Sequence, residues 1–220
     1  MTPRRPGGDQ QIPRPEFWTE DDVAPWEAVP HWTVERLVTP IAARQSPLLP
    51  TFPDARHSAV LIALAETERG AEVLLTRRSM SLRNHRGEIS FPGGRMDPGE
   101  TPVETALREA YEEVGLDPSQ PRIVGELAHL STVVSRSYIV PIVSVLPERP
   151  PDLAPRTGEV DRVLWTPIDE LTREGTYHLE RWGRPPLERP LHFFHLDDET
   201  VWGATAHMLV ELLTATTPDR

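Results

Sequence analysis

The sequence predicts an α/β domain built around a mixed β-sheet. Three observations carry this expectation. Short apolar runs of strand character recur between residues 58 and 196. Two segments with helical spacing, 101–116 and 203–215, are set among them and after them. Strands mixed with helices in this way favour a sheet that carries helices on its faces. The third is size: 220 residues with 38% apolar content can bury one core of ordinary dimensions.

Taken in order, SAVLIALA (58–65) and AEVLLTRR (71–78) are joined by ETERG, a hairpin signal with Gly70 at the turn. EISFPGG (88–94) ends in a sharp turn. TPVETALREAYEEVGL (101–116) is the clearest helix: Thr101 is placed to cap its N-terminus, Pro102 takes the first helical position and Glu104 completes a capping box. Gly115 is the expected C-terminal cap, and Val103, Leu107, Ala110 and Val114 form the expected core stripe. RIVGELAHL (122–130), YIVPIVSVL (138–146), VDRVLWTPI (160–168) and LHFFHL (191–196) read as strands. IDEL (168–171) reads as a short helix, and GATAHMLVELLTA (203–215) as a terminal helix with Ala206, Leu209, Val210 and Leu213 on one side.

Proline divides the chain. Residues 1–15 hold four Pro and two Gly, the composition of a disordered tail. Residues 16–54 carry Trp18, Trp26 and Trp32 among acids and prolines. Three Trp are a large apolar load for a free tail, so this zone is expected as a short helical arm packed on the domain, followed by a linker at 45–55. The main domain is expected over 55–216, with 217–220 as a tail.

Composition excludes several chemistries. The chain has 23 basic and 34 acidic residues, a net charge of −11; every basic residue is Arg, and there is no Lys and no Cys. A Lys Schiff base, a phosphate-loop Lys, a thiolate nucleophile and Cys-ligated metals are therefore out of reach. The acidic surplus argues against a nucleic-acid partner. No apolar run approaches the length of a membrane span, and the N-terminus lacks the apolar stretch of a secretory signal, so a cytoplasmic location is the default expectation.

The informative feature is the acidic flank of the 101–116 helix. Glu109, Glu112 and Glu113 are spaced three and four apart and converge on one flank, with no cation interleaved. Like charges so placed repel. A divalent cation that prefers oxygen, such as Mg²⁺, converts the repulsion into binding. Taken alone, the pattern also describes a solvated acidic face.

Its surroundings favour the metal reading. From Gly94 the chain runs GRMDPGETPVETALREAYEEVGL: Gly, five residues, Glu100, seven residues, then Arg108-Glu109-Ala110-x-Glu112-Glu113-x-Gly115-Leu116. This resembles the complete Nudix box of the Nudix hydrolases, without insertion. The resemblance implies a Nudix fold, an α/β/α sandwich around a mixed sheet. It also implies Mg²⁺- or Mn²⁺-dependent hydrolysis of a nucleoside diphosphate derivative. Carried over by position, Glu109, Glu112 and Glu113 would hold metal, with the Gly93 carbonyl as a further ligand, and Arg108 would pair with Glu100 to lock the loop onto the helix.

Just upstream, the charge inverts. Residues 77–86 carry Arg77, Arg78, Arg83 and Arg86 with His85 and no acid. Arg binds phosphate bidentately, so a multiply phosphorylated anion is a natural ligand, although by charge alone a basic loop balancing acids elsewhere fits equally. Leu74, Leu75, Thr76, Arg78, Ser79, Arg83, Gly87, Phe91, Pro92, Gly93 and Gly94 match the signature upstream of the box in the coenzyme A pyrophosphatases of the same family. That resemblance implies cleavage of coenzyme A, whose additional 3′-phosphate suits an Arg-rich loop.

Downstream, GEVDRVLWTPIDEL (158–171) and VWGATAHMLVELL (201–213) look like the late strand and terminal helix of the family. Glu159 stands where many members place an added acidic ligand or base; a plain surface Glu is the competing reading. The proton of the attacking water would go to Glu112 or Glu159. Other diphosphate substrates (ADP-ribose, NADH, capped RNA) and a catalytically silent binding module are the alternatives, and a homodimer is left open. His192 and His195 are expected on opposite faces of a strand and not as a metal pair.

Overall fold

Runs of strands are separated by single helices in the computed structural model, which describes residues 4–42, 54–132 and 136–215. In chain order these are β1 (Trp18–Asp21), α1 (Val34–Ala42), β2 (Arg56–Thr67), β3 (Gly70–Arg78), β4 (Ile89–Ser90), β5 (Gly93–Arg95), α2 (Pro102–Val114), β6 (Arg122–Glu126), β7 (Leu130–Thr132), β8 (Ser137–Val145), β9 (Val160–Pro167), α3 (Ile168–Leu171), β10 (Tyr177–Trp182), β11 (Arg189–His195), β12 (Thr200–Trp202) and α4 (Gly203–Thr214).

The larger sheet has eight strands and is mixed. β2 runs parallel to β8, and its other edge carries β3 and then β5, both antiparallel. Parallel neighbours need a long crossover, and here it runs through α2. Side chains alternate along β2, as a strand buried on both faces requires. Ala59, Leu61 and Ala63 face one layer with Ala106, Ala110 and Val114 of α2. Ile62 and Leu64 face the other, with Leu37 and Ile41 of α1 and Leu209 and Leu213 of α4. This is the expected α/β class, with helices on both faces of the sheet.

A second, antiparallel sheet, β1-β10-β11-β12, covers part of the α1/α4 layer. Phe194 and Val201 contribute its buried face. Only β11 of these four strands was expected. TYHLERW and WTED carry several charged or polar residues, and their strand form comes from pairing with neighbours already in place.

The Trp-bearing segment contributes side chains to the core on the second-sheet side. Trp26 and Trp32 are buried. Trp26 lies edge-on to Tyr177 at 4.8 Å and stacks on Phe194 at 5.8 Å. The segment also forms α1, whose Val34, Leu37 and Ile41 are buried. Trp18 instead lies on β1, partly exposed.

The Pro-rich start departs from the expected tail. Residues 4–15 lie along the second sheet: Arg5 N donates to Gly175 O at 3.1 Å, Gly7 N to Leu196 O at 2.8 Å, and Arg14 Nε to Glu180 Oε1 at 2.8 Å. The reason lies elsewhere in the chain. Glu180 is fully buried, and a buried carboxylate demands a cation. The expected linker at 45–55 lies outside the described residues but for its last two, and the tail at 217–220 lies wholly outside them.

Candidate metal and diphosphate site

α2 begins as its sequence requires. The Thr101 hydroxyl accepts from Glu104 N at 3.3 Å, and Glu104 Oε2 accepts from Thr101 N at 2.8 Å, closing the capping box. Gly115 ends the helix in the left-handed conformation at φ 81°. The buried face, however, is centred on Thr105, Ala106, Ala110, Glu113 and Val114, whereas Val103 and Leu107 are only partly buried. The small side chains of Ala106 and Ala110 let the helix approach the sheet, and this rotation carries Glu113 inward.

Arg108 organises the loop before the helix. Its Nε donates to Glu100 Oε1 at 2.7 Å and its Nη2 to Glu100 Oε2 at 3.1 Å, a two-pronged pair, while Nη2 also reaches the Arg95 carbonyl at 3.1 Å. Glu100 accepts further from Asp97 N at 2.9 Å and from the Thr105 hydroxyl at 2.7 Å. Arg108, followed by those two donors, holds the Glu100 carboxyl down at about 2. Arg108 also touches Glu109 at 3.0 Å and Glu112 at 3.2 Å.

The three helix carboxylates occupy different environments. Glu112 is half exposed. Glu109 is largely covered; burial raises its pKa, Arg108 opposes this, and the charges of Glu112 and Glu159 add to it. Glu113 is only 5% exposed. Its Oε2 accepts from Gly93 N at 3.3 Å and has no ion-pair partner among the described residues. Burial first, and the Glu109 and Glu159 charges next, push its carboxyl up to about 7 against the pull of Gly93 N–H and Arg78. Both glycines of the turn are needed sterically. A Cβ on Gly93 would stand 2.6 Å from the Val60 Cα, and one on Gly94 would overlap the Glu109 carboxylate.

Arg78 lies beside this group. It sits 3.8 Å from Glu159 Oε2, and its Nε is buried without a hydrogen-bond acceptor. Ser79 N donates to the Glu159 carbonyl at 2.7 Å, tying the basic loop to the segment that carries this acid. Arg83 and Arg86 are exposed and make no ion pair among the described residues. His85 is engaged with Glu88 at 2.9 Å, and that bond raises its pKa.

Arg77 departs from the expectation. Adjacent strand residues face opposite sides, and its Nη1 binds Glu199 Oε1 at 3.1 Å on the side away from Glu113. Glu199, which the sequence reading passed over, is 2% exposed.

Residues 109, 112, 113 and 159 suit a divalent metal by their chemistry. All are oxygen donors, and Glu113 is a buried carboxylate with no ion-pair partner among the described residues. A second cluster, Glu20, His178 and Glu180, brings its ligand atoms within 4.8 Å of one another. Its charge is already matched: Arg14 holds both oxygens of Glu180 at 2.8 and 3.0 Å, and Arg4 holds Glu20 at 3.0 Å. His192 Nδ1 bonds the Tyr177 hydroxyl at 2.9 Å and His195 Nδ1 the Thr200 hydroxyl at 3.1 Å.

A family model described as the NUDIX domain matches residues 55–187. The chain belongs to the Nudix family. It is 37% identical over 199 residues to Nudix hydrolase 3 of Caenorhabditis elegans, covering 81% of each chain. It is 35% identical over 161 residues to Nudix hydrolase NudL of Photorhabdus laumondii, covering 71% of this chain and 83% of that one. The crystal structure of the Nudix hydrolase RenU from M. smegmatis matches 53% of this chain and 74% of its own at 26% identity and a TM-score of 0.46. As a Nudix hydrolase the protein acts on the pyrophosphate bond of nucleoside diphosphate derivatives, a class that generally uses divalent metals. No helix among the described residues is long and apolar enough to cross a membrane.

Proposed function

We propose that this Nudix hydrolase cleaves the diphosphate of coenzyme A, or of its acylated or oxidised forms, to 4′-phosphopantetheine and adenosine 3′,5′-bisphosphate. Glu109, Glu112, Glu113 and the Gly93 carbonyl would hold Mg²⁺ or Mn²⁺. The observation that carries the reading is Arg78, a guanidinium 3.8 Å from Glu159 Oε2 and close enough to Glu113 to pull its pKa down. Such a donor beside metal-type carboxylates suits a bridging diphosphate. Arg83 and Arg86 lie further out on the same loop, where they suit an additional phosphate.

When bound, the metal neutralises the diphosphate and lowers the pKa of a bound water. The chain's own residues supply the rest. Arg78, whose side chain is 26% exposed, binds a phosphoryl oxygen through the exposed part of its guanidinium. Arg108 and Glu100 hold the Gly94–Gly99 turn in place, so the Gly93 carbonyl keeps its position. A carboxylate oxygen of Glu159 or Glu112 takes the proton of the attacking water. Glu159 is the freer base, since Glu112 Oε2 is bonded to Arg108 at 3.2 Å and Glu159 is held only at 3.8 Å. No covalent intermediate is needed.

Product analysis with coenzyme A and Mg²⁺, run beside ADP-ribose and NADH, tests the reading. Appearance of adenosine 3′,5′-bisphosphate supports it. Coenzyme A as the poorest of the three would reject it in favour of another Nudix substrate.

A further inference from the structure

Across the β3–β9 ladder, Arg77 stands directly opposite Arg162. Two like charges so placed repel. Glu199, in the turn between β11 and β12, resolves the conflict: its Oε1 accepts from Arg77 Nη1 at 3.1 Å and from Arg162 Nη1 at 3.0 Å. Its Oε2 accepts from Gln10 Nε2 at 2.9 Å, and the Gln10 carbonyl oxygen accepts in turn from Thr200 N at 3.2 Å. A nearly fully buried carboxylate is therefore saturated by two strands of the large sheet and by the N-terminal segment.

The next residue is Arg78. The ladder slips between Arg77 and Arg78, so that Arg78 pairs with Val160 and Asp161 is skipped. The extra residue is on β9, so the bulge bends β9 and locally changes what lies opposite Arg78. The backbone of Arg78 is closed by its N–H to the Glu88 carbonyl at 2.9 Å and by Gly87 N to its own carbonyl at 3.0 Å. The clamp on Arg77 and Arg162 thus anchors both strands immediately before the bulge, and Arg78 follows on the opposite face of β3 beside Glu159 and Glu113.

We infer that Glu199 is a positioning residue for the reaction: by holding Arg77 and Arg162 it sets the aim of Arg78, and through Gln10 it makes the N-terminal segment part of that support. The inference rests on the reading of Arg78 as a diphosphate-binding residue. Glu199 itself does not touch the substrate, because its carboxylate lies on the opposite side of β3.

The test uses full-length E199Q, Q10A and R78A with the doubles E199Q/R78A and Q10A/R78A, each assayed with Mg²⁺ on coenzyme A, ADP-ribose and NADH and compared on the one the wild-type protein turns over best. kcat and KM are measured separately, and thermal melts confirm folding. E199Q is expected to lower kcat/KM about tenfold, chiefly through KM, as a misaimed binding group does. Q10A is expected to produce a smaller loss in the same parameter. Neither double should fall below R78A alone, since the clamp acts only through Arg78. Wild-type kinetics in E199Q, or a loss that multiplies with that of R78A, would overturn the inference. If E199Q does not fold, Q10A against Q10A/R78A decides the matter by the same criterion. Wild-type kinetics in R78A would instead remove the role of Arg78, and the inference with it.

Discussion

The backbone of Gly94 passes so close to Glu109 that an added Cβ would stand 2.8 Å from Oε2, and nearer still to the rest of the carboxylate. Gly94→Ala must therefore displace either the turn or the acid. We expect hydrolysis to fall by about a hundredfold, since a displacement of roughly 1 Å is enough to cost that much. The melting temperature should change little, because Glu109 can swing towards solvent. Steady-state kinetics beside a thermal melt separate the two effects, and near-normal turnover would show that the close approach has no part in the chemistry.

Glu113 links metal binding to stability. Its carboxyl sits near 7 in the fold against 4.5 as its ordinary value. A raised carboxyl means that the unfolded chain gives up its proton first, so ionisation favours unfolding as pH rises from 4.5, and the full penalty is present above 7. In chelator the wild-type protein should lose up to about 3 kcal/mol across that window. Glu113→Gln should lack this slope and, above pH 7 in chelator, melt higher than the wild type while losing nearly all turnover. Mg²⁺ should raise the wild-type melting temperature and leave the variant's almost unchanged. A variant as active as wild type would reject the metal assignment.

Arg108 and Glu100 meet through two parallel bonds of 2.7 and 3.1 Å. Lys carries the charge but not the fork. Arg108→Lys is accordingly expected to lose activity at least tenfold, with slack in the 95–100 turn visible as faster amide exchange there. Glu100 also carries a pH signature. Its carboxyl is held down at about 2, so the stability it contributes is present above pH 4.5 and disappears as pH falls through 2. Glu100→Gln should flatten that part of an acid titration of the melting temperature.

Arg14 should matter out of proportion to its place in a Pro-rich start. Its guanidinium is the cation for Glu180, whose side chain is fully buried. Among the described residues, Arg14→Ala leaves the Glu180 carboxylate with only His178 Nε2 at 3.0 Å and the Trp182 indole N–H at 2.6 Å. A loss of about 2–3 kcal/mol is expected, readable as a drop in the denaturant midpoint. Arg14→Ala combined with Glu180→Leu should recover much of it. No change in the single variant would mean that residues 4–15 do not dock through this pair.

Helix α2 was legible because its ends are local: Thr101, Pro102, Glu104 and Gly115 each act within one turn of the backbone. The hairpin of β2 and β3 was legible for the same reason. The direction of the helix's buried face was not, because it depends on what lies opposite. Val103 and Leu107 are the larger apolar residues, yet the sheet receives Ala106, Ala110 and Glu113. Strands β1, β10 and β12 were missed because their residues alternate weakly, and cross-strand pairing, which no short window contains, makes them strands.

By itself, then, the sequence determined the α/β class, the capped acidic helix and the oxygen-and-guanidinium chemistry of a chain with neither Lys nor Cys. Those properties reside in residue type and short spacing. Only the tertiary structure decided that Glu113 is buried while Glu112 is open, that Arg78 faces the carboxylates while Arg77 is held by Glu199, and that the Pro-rich start lies on the second sheet. Each of these depends on desolvation and on partners distant in the chain, such as the pair of Arg14 with Glu180, and both exist only once the layers have packed.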